Sequence, residues 1–460
     1  MKITLINPPF KTSFSQPPLS LAFIAAVLEK NGQKVNIIDA QALGIDENEV
    51  AIRTSGTDVV GITSMTPTFN SAVRTAKAIK KNNNSCFIVM GGPHVTVLPE
   101  KTLEDVKEID AIVIGEGELT IVELIKAIEN KKSFENILGI SYRKDGKIIT
   151  TQARPPIENL DMLPMPAYNL LPIKKYRPFP PHGKKLPYMA LITTRGCPYR
   201  CIFCFKSIFG RRCVAKSPKM LVDEIKTLIE KFGVKELLFY DDSFTIDRNR
   251  TIEFCNELIK NNIKIPWSCE TRVNLVDKEV LEKMKEAGCY IISYGVESGD
   301  QTILDNLRKD ITIEQAKTAF KLTKETRILT VAYFMIGSPG DTNETIRKTI
   351  DFAKELNADF AQFSITTPFP GSELFDNLIK KGIKIEDWDK ASYVTSKSKS
   401  VPVSLTDELT AEDLKKWYSK AYKEFYFRPK YWIKTILRIR SIGDIKIILN
   451  GFRMLFNISK

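Results

Sequence analysis

The sequence predicts an α/β protein built as an N-terminal doubly wound, Rossmann-like domain, then a partial TIM barrel of about six βα units, then a helical C-terminal tail. Three observations predict it. Short apolar runs alternate with amphipathic helical spacing over the first 130 residues, the pattern of a parallel sheet covered by helices. A stretch crowded with proline then interrupts the alternation. From Tyr188 a second alternation brings six further apolar runs; units in that number make a barrel or part of one, with its chemistry at the carboxyl ends of the strands.

Composition agrees with a folded chain and narrows its partners. A length of 460 residues suits two to four domains, at about 100 to 200 residues per domain. With 43% hydrophobic and 27% charged residues, the chain is neither disordered nor fibrous. A net charge of +13 suits an acidic partner: a phosphorylated substrate, an anionic membrane or nucleic acid. No apolar run reaches the roughly 20 residues that span a bilayer, and residues 1–9 read as a short buried strand with no signal-peptide features. A cytoplasmic location is expected. Two histidines, His94 and His182, argue against chemistry that needs several imidazoles. The eight cysteines are uneven, three of them within eight positions, which in a cytosolic chain favours a metal site over disulfides.

In order along the chain, residues 1–135 form the first domain, with strands at 3–6, 34–38, 59–62, 87–90 and 111–114 and helices near 19–30 and 69–81. Ligands of such sheets bind beyond the strand carboxyl ends. Those ends carry Asn7, then Thr63, Ser64, Met65 and Thr66, then Gly91, Gly92, Pro93 and His94, then Gly115 and Glu116. Residues 136–187 are a hairpin turning at Asp145-Gly146 and a Pro-rich connection. Residues 188–370 are the barrel, with strands at 189–193, 236–240, 267–270, 290–294, 330–336 and 359–365. Residues 371–460 are helical and basic: from Arg428 onward eight Lys and Arg face one acid, Asp444.

The sharpest motif directly follows the first barrel strand, where Cys197, Cys201 and Cys204 stand at spacings of four and three. Three thiolates hold three irons of a 4Fe–4S cluster and leave the fourth open. A structural zinc site needs a fourth ligand, Cys213 or a distant residue, and a Cys201–Cys204 redox dithiol leaves Cys197 unexplained. This loop, with Phe203 just before the last cysteine, resembles the radical SAM superfamily. Segments 239–244, 269–274, 295–299 and 334–340 agree with it in order and spacing. The resemblance implies a 4Fe–4S cluster that chelates S-adenosylmethionine and cleaves it to a 5′-deoxyadenosyl radical. It further implies that Asp241 and Asp242 meet the methionine amino group, that Arg272 grips its carboxylate and that Glu297 contacts the ribose or the methionine end. The resemblance also implies that Ser338 shapes the adenine pocket. The structural alternatives are a turn or cap for Asp241 and Asp242, a Glu297–Arg272 ion pair and a plain turn at Ser338.

The doubly wound domain before this barrel is similar to that of the cobalamin-dependent radical SAM group of methyltransferases and anaerobic oxidative cyclases. The resemblance implies that Thr63 to Thr66 and Gly91 to Pro93 cradle the nucleotide tail of cobalamin, and that Gly115 and Glu116 meet the corrin or cap the next helix. The group of cobalamin proteins that ligates cobalt with histidine carries it in the first loop; here that loop holds Asn7-Pro8-Pro9-Phe10, so no histidine ligand is expected from below. The activity implied is carbon methylation on a small or lipid-like substrate, with cyclisation or rearrangement, or a non-enzymatic corrinoid sensor, as alternatives. An electron donor such as flavodoxin or ferredoxin is implied. The basic tail suggests peripheral membrane contact, against helices packed back on the barrel; nucleic acid is not an expected partner, since no RNA-binding motif precedes the tail and Cys86 stands alone in the first domain.

Overall fold

The computed structural model describes residues 1–12, 14–382 and 403–436. The chain forms two compact units: Met1–Arg177 with Arg195–Cys197 and Phe205–Lys216, and the remainder.

In the first unit, β1 (Lys2–Asn7), β2 (Lys34–Asp39), β3 (Val59–Thr63), β4 (Phe87–Gly91) and β5 (Ala111–Val113) pair in parallel in the order β2-β1-β3-β4-β5. Ile3, Leu5 and Ile6 of β1, Val59, Val60 and Ile62 of β3 and Ile88, Val89 and Met90 of β4 are all buried, as in a parallel sheet covered on both faces. On one face Ile6, Val60, Ile62, Ile88 and Met90 pack against Ala72, Ala76 and Ile79 of the helix Phe69–Asn82. The strand order reverses between β1 and β3, which places a ligand crevice at the carboxyl ends there. The hairpin β6 (Ile140–Lys144) and β7 (Lys147–Thr150) joins the β5 edge antiparallel. Its turn residues Asp145 and Gly146 both have positive φ, at 50° and 76°, as the turn that matches strand twist demands.

In the second unit, β8 (Tyr188–Leu191), β9 (Glu236–Phe239), β10 (Trp267–Arg272), β11 (Cys289–Glu297), β12 (Leu329–Ile336) and β13 (Phe360–Ile365) form one parallel sheet in sequential order. This is the expected six-unit partial barrel. Its outer layer is anchored by Trp267, which packs on Phe239, Phe244 and Phe254 while its indole donates to the Ala287 carbonyl at 2.8 Å. The helices start on side-chain caps that satisfy their first N–H groups: Ser217, Asp247, Asp277, Thr312 and Thr342 each accept from a backbone N–H two or three residues into the helix. Glu236 accepts from the backbone N–H groups of Gly183 and Lys185 and from the Tyr290 hydroxyl, which pins the end of the Pro-rich segment to the base of β9. The helix Ala411–Tyr426 covers β13, the edge strand. Tyr422 and Tyr426 each accept from and donate to the backbone of that strand, at Phe363 and Ala361.

Candidate active site

At the carboxyl ends of the second unit's strands, the Cys201 loop is held by Ile202. Its N–H donates to the Leu307 carbonyl at 3.1 Å and its carbonyl accepts from Leu374 at 2.9 Å, and its side chain packs with Ile303, Leu307 and Leu374, with Phe203 against them. Arg272, the last residue of β10, reaches this loop: its guanidinium stacks 3.6 Å from the Tyr199 ring centroid and lies 3.5 Å from the Cys201 Sγ. It also donates to the carbonyl of Lys309. Lys309 in turn pairs with Glu297 at 2.7 Å, both buried. A hydrogen bond from Cys204 and the charges of Lys309 and Arg272 pull the Cys201 thiol down to about 6 against its burial. A thiolate is the form that ligates metal, so the chemistry of Cys201 suits an iron ligand. Cys204 is exposed and Cys197 partly so. Among the described residues no three His, Cys, Asp or Glu side chains converge closely enough to hold a metal ion.

Several residues assigned to S-adenosylmethionine are already engaged. Asp241 is buried, and its carboxylate accepts from the N–H and hydroxyl of Thr193 and the N–H of Thr194, at 2.6 to 2.8 Å; it ties the end of β8 to the loop after β9. Its neighbour Asp242 is exposed. Arg272 is spent on Cys201 and backbone carbonyls, where a carboxylate fork was expected. Glu297, at φ 69°, faces Lys309 instead of Arg272. A Cβ on Gly295 would lie 2.6 Å from the Glu297 Oε1 and 2.8 Å from the Lys309 Nζ, so a larger residue there would push the two side-chain ends aside. Ser338 is buried in a turn, its hydroxyl with Thr366 and its N–H on Asp341. The sequence reading passed over Lys309, Glu270 and Tyr333. Glu270 was legible as an acid inside an otherwise buried strand.

The first unit's rim tells a similar story. The Ser64 hydroxyl is fully buried and has no hydrogen-bond partner, while Met65 beside it is exposed. Gly92 has φ 103°, and a Cβ there would come 2.6 Å from the Ser64 carbonyl. The backbone of Gly92 thus lies against the loop after β3, whose buried Ser64 hydroxyl has no partner among the described residues; such an orphan is the kind of group a polar ligand atom or a water satisfies. Thr63, Gly91 and Pro93 are partly exposed on the same rim. His94 is buried, within 3.2 Å of the Thr66 hydroxyl and stacked on Phe69 at 4.0 Å; burial drives its imidazole down to about 4. Asn7 donates to Asp39 at 2.9 Å. Gly115 donates to Thr96. Glu116, expected to meet a corrin or cap a helix, instead pairs with Arg195 at 2.6 Å and Arg212 at 3.3 Å and accepts from the Ile157 N–H. Arg195 also pairs with Glu118 and lies over the Phe23 ring.

Comparison with known proteins gives this architecture a family. The sequence model of the Radical SAM superfamily matches residues 191–353 and that of the B12 binding domain residues 11–125. Over 446 residues the chain is 37% identical to an uncharacterized methyltransferase of Pyrococcus horikoshii, covering 95% of each protein. The chain belongs to the B12-binding group of the radical SAM superfamily. Over another 446-residue alignment it is 33% identical to an anaerobic magnesium-protoporphyrin IX monomethyl ester cyclase of Rubrivivax gelatinosus, covering 94% of this chain and 78% of the relative. The solved structure of OxsB, a cobalamin-dependent S-adenosylmethionine radical enzyme with aqua-cobalamin and S-adenosylmethionine bound, shares the fold with a TM-score of 0.73 at 18% identity, over 99% of this chain and 71% of that one.

As a radical SAM enzyme with a B12-binding domain, the chain uses S-adenosylmethionine, a 4Fe–4S cluster and cobalamin. Bound, these groups supply a 5′-deoxyadenosyl radical and a transferable methyl group, the hard chemistry of the reaction. The chain's own residues supply orientation and charge: Arg272 and Lys309 hold positive charge beside Cys201.

Proposed function

We propose that this enzyme methylates an unactivated carbon of a small or lipid-like substrate, with Cys197, Cys201 and Cys204 as the three cluster ligands. The observation that carries the reading is the Ser64 hydroxyl, buried against the Gly92 backbone and without a partner among the described residues, which supports a cobalamin tail at this loop in a chain that also has the cysteine loop. The methyltransferase relative supports it. A second reading, ring formation with the same cofactors, is supported by the cyclase relative. In both, a low-potential donor such as flavodoxin or ferredoxin delivers the electron, and Thr63, Met65, Thr66, Gly91 and Pro93 line the tail site. Asp242 meets the ammonium of S-adenosylmethionine, and the basic tail brings the enzyme to an anionic membrane where a lipid-like substrate resides. The test is anaerobic reconstitution with iron, sulfide and cobalamin, followed by mass analysis of products from deuteromethyl S-adenosylmethionine. The expected protein carries about four irons per chain, and Cys201→Ala loses both iron and 5′-deoxyadenosine formation. A mutant with full iron and full cleavage sinks the ligand assignment; a product without deuterium selects ring formation.

A further inference from the structure

Beside the cysteine loop, the second unit buries Cys201, Arg272, Glu297 and Lys309 together. Every nitrogen of the Arg272 guanidinium is committed. Nε donates to the Asn274 side chain at 3.2 Å, Nη1 to the Cys201 Sγ at 3.5 Å, and Nη2 to the carbonyls of Lys309 and, at 3.3 Å, of Asp310. The guanidinium carbon lies 3.6 Å from the Tyr199 ring centroid, so the group is held on one side as well as at its edges. The segment that receives it is unusual. Arg308 and Asp310, on either side of Lys309, have φ of 48° and 51°, a left-handed conformation that residues other than glycine adopt seldom and at a cost. With that backbone the Lys309 carbonyl accepts from Arg272 while its ammonium pairs with the Glu297 carboxylate at 2.7 Å and stands 5.8 Å from the Phe203 ring centroid. Two cations, one of them paired with a carboxylate, thus stand by one thiol, and both favour its thiolate. Tying two loops together needs only the carbonyl acceptors; the donor aimed at sulfur is the part that packing leaves unexplained.

We propose that Arg272 is a positioning residue for the electron that enters the cluster: its Nη1 N–H stays on the Cys201 sulfur when that sulfur ligates iron, and together with Lys309, whose charge Glu297 offsets, it sets the potential at which the cluster is reduced. This rests on the proposed reading of Cys201 as a cluster ligand. The step is the transfer of one electron from a one-electron donor of low potential; no bond forms or breaks and no proton moves, so the cluster gains one negative charge. Hydrogen bonds to the sulfurs and the net charge nearby are among the factors that set such potentials, and partners behind the ligands tune the metal they do not touch. A donor on sulfur and a neighbouring cation both stabilise the added charge. Since Arg272 and Lys309 are buried, their effect is screened less than it would be in water.

The readout is the midpoint potential of the cluster in the reconstituted holoenzyme without S-adenosylmethionine, titrated electrochemically and followed by the electron paramagnetic resonance of the reduced cluster. Arg272→Gln should shift the one-electron equilibrium away from the reduced cluster by roughly tenfold, about 59 mV downward. Arg272→Lys, which keeps a cation, should recover part of that shift. If Arg272→Gln does not fold, Lys309→Gln and Glu297→Gln carry the test, since both leave the bond between Arg272 and the Lys309 carbonyl in place. Loss of the ammonium should lower the potential and loss of the carboxylate should raise it, opposite displacements that a merely structural role would not produce. An Arg272→Gln protein with the wild-type potential, or shifts of the same sign in Lys309→Gln and Glu297→Gln, overturns the tuning role. Iron analysis of the same preparations keeps the two claims apart: about four irons per chain in variants whose potential does not move leaves the ligand reading standing, whereas equal iron in wild type and Cys201→Ala removes the ligand reading and the tuning role with it.

Discussion

The two histidines show how burial overrules residue type. Both are buried and held neutral: His94 against Phe69 and Thr66, and His182 with Ser268 at 3.1 Å. Burial lowers each to about 4 from 6.5. A histidine depressed on folding takes up its proton more readily when unfolded, so it costs no stability above about 6.5 and lowers stability as pH falls from there toward 4. At 1.36 kcal/mol per pKa unit the His94 shift amounts to about 3 kcal/mol. His94→Gln should therefore flatten the acid limb: the urea midpoint of wild type should fall between pH 7.5 and pH 5 by clearly more than that of the variant. Two buried acids act in the opposite sense, since Asp341 and Glu270, raised to about 6 and about 7, favour the folded state at low pH. Only the difference between wild type and variant isolates the imidazole. An equal fall in both proteins removes the claim. Asp241 gives the same lesson from the other side. Its place after a strand end was readable, but the three donors of Thr193 and Thr194 come from a strand some 50 residues earlier, and no local pattern announces them.

Elements were the most legible scale. Each of the five strands of the first sheet and the six of the second lies within a few residues of its apolar run, because a strand buried on both faces must be apolar along its whole length. The hairpin was legible too, from Asp145-Gly146, but its attachment to β5 was not, since that pairing depends on an edge distant in sequence. Nor was the cover of the other edge. Tyr422 and Tyr426 lie four residues apart on one face of the helix Ala411–Tyr426, so their hydroxyls reach β13 at Phe363 and Ala361 as a neighbouring strand's amides would. An edge strand with unpaired N–H and C=O groups is an aggregation template, and these two phenols blunt it. Replacing both by Phe keeps the aromatic packing and leaves two N–H and two C=O groups without their partners. The cost is about 1 kcal/mol or more for each tyrosine. The double variant should unfold at lower denaturant and aggregate faster on mild heating, as followed by circular dichroism and light scattering. A double variant with an unchanged midpoint and no added scattering would show that the hydroxyls are incidental.

At the scale of the whole molecule, charge and exposed apolar surface belong together at the C-terminus. The helix Pro429–Ile436 is the last described element and is tied to the folded chain at its start. Arg428 donates to the Lys354 carbonyl and Tyr431 packs on Phe425 and Tyr426, while Ile433 and Phe427 are exposed at 62% and 47%. Among the described residues no helix is long and apolar enough to cross a membrane. Most of the basic tail read from sequence, residues 437–460, lies outside the described residues. Its sequence holds Arg438, Arg440, Lys446, Arg453 and Lys460 against Asp444. At about 1 kcal/mol per cation near an anionic surface, five cations set an upper bound of about 5 kcal/mol. That attraction is screened over about 8 Å at physiological ionic strength, so membrane contact of this kind has to be salt-sensitive. The full chain should float with phosphatidylserine vesicles at low salt and be released at high salt, and a chain ending at residue 436 should stay behind under both conditions while keeping its thermal midpoint, because the packed contacts of Arg428 and Tyr431 remain. A full chain that never floats, or a shortened one that floats equally well, ends the membrane role; a shortened chain that melts earlier instead assigns those 24 residues to packing against the folded protein.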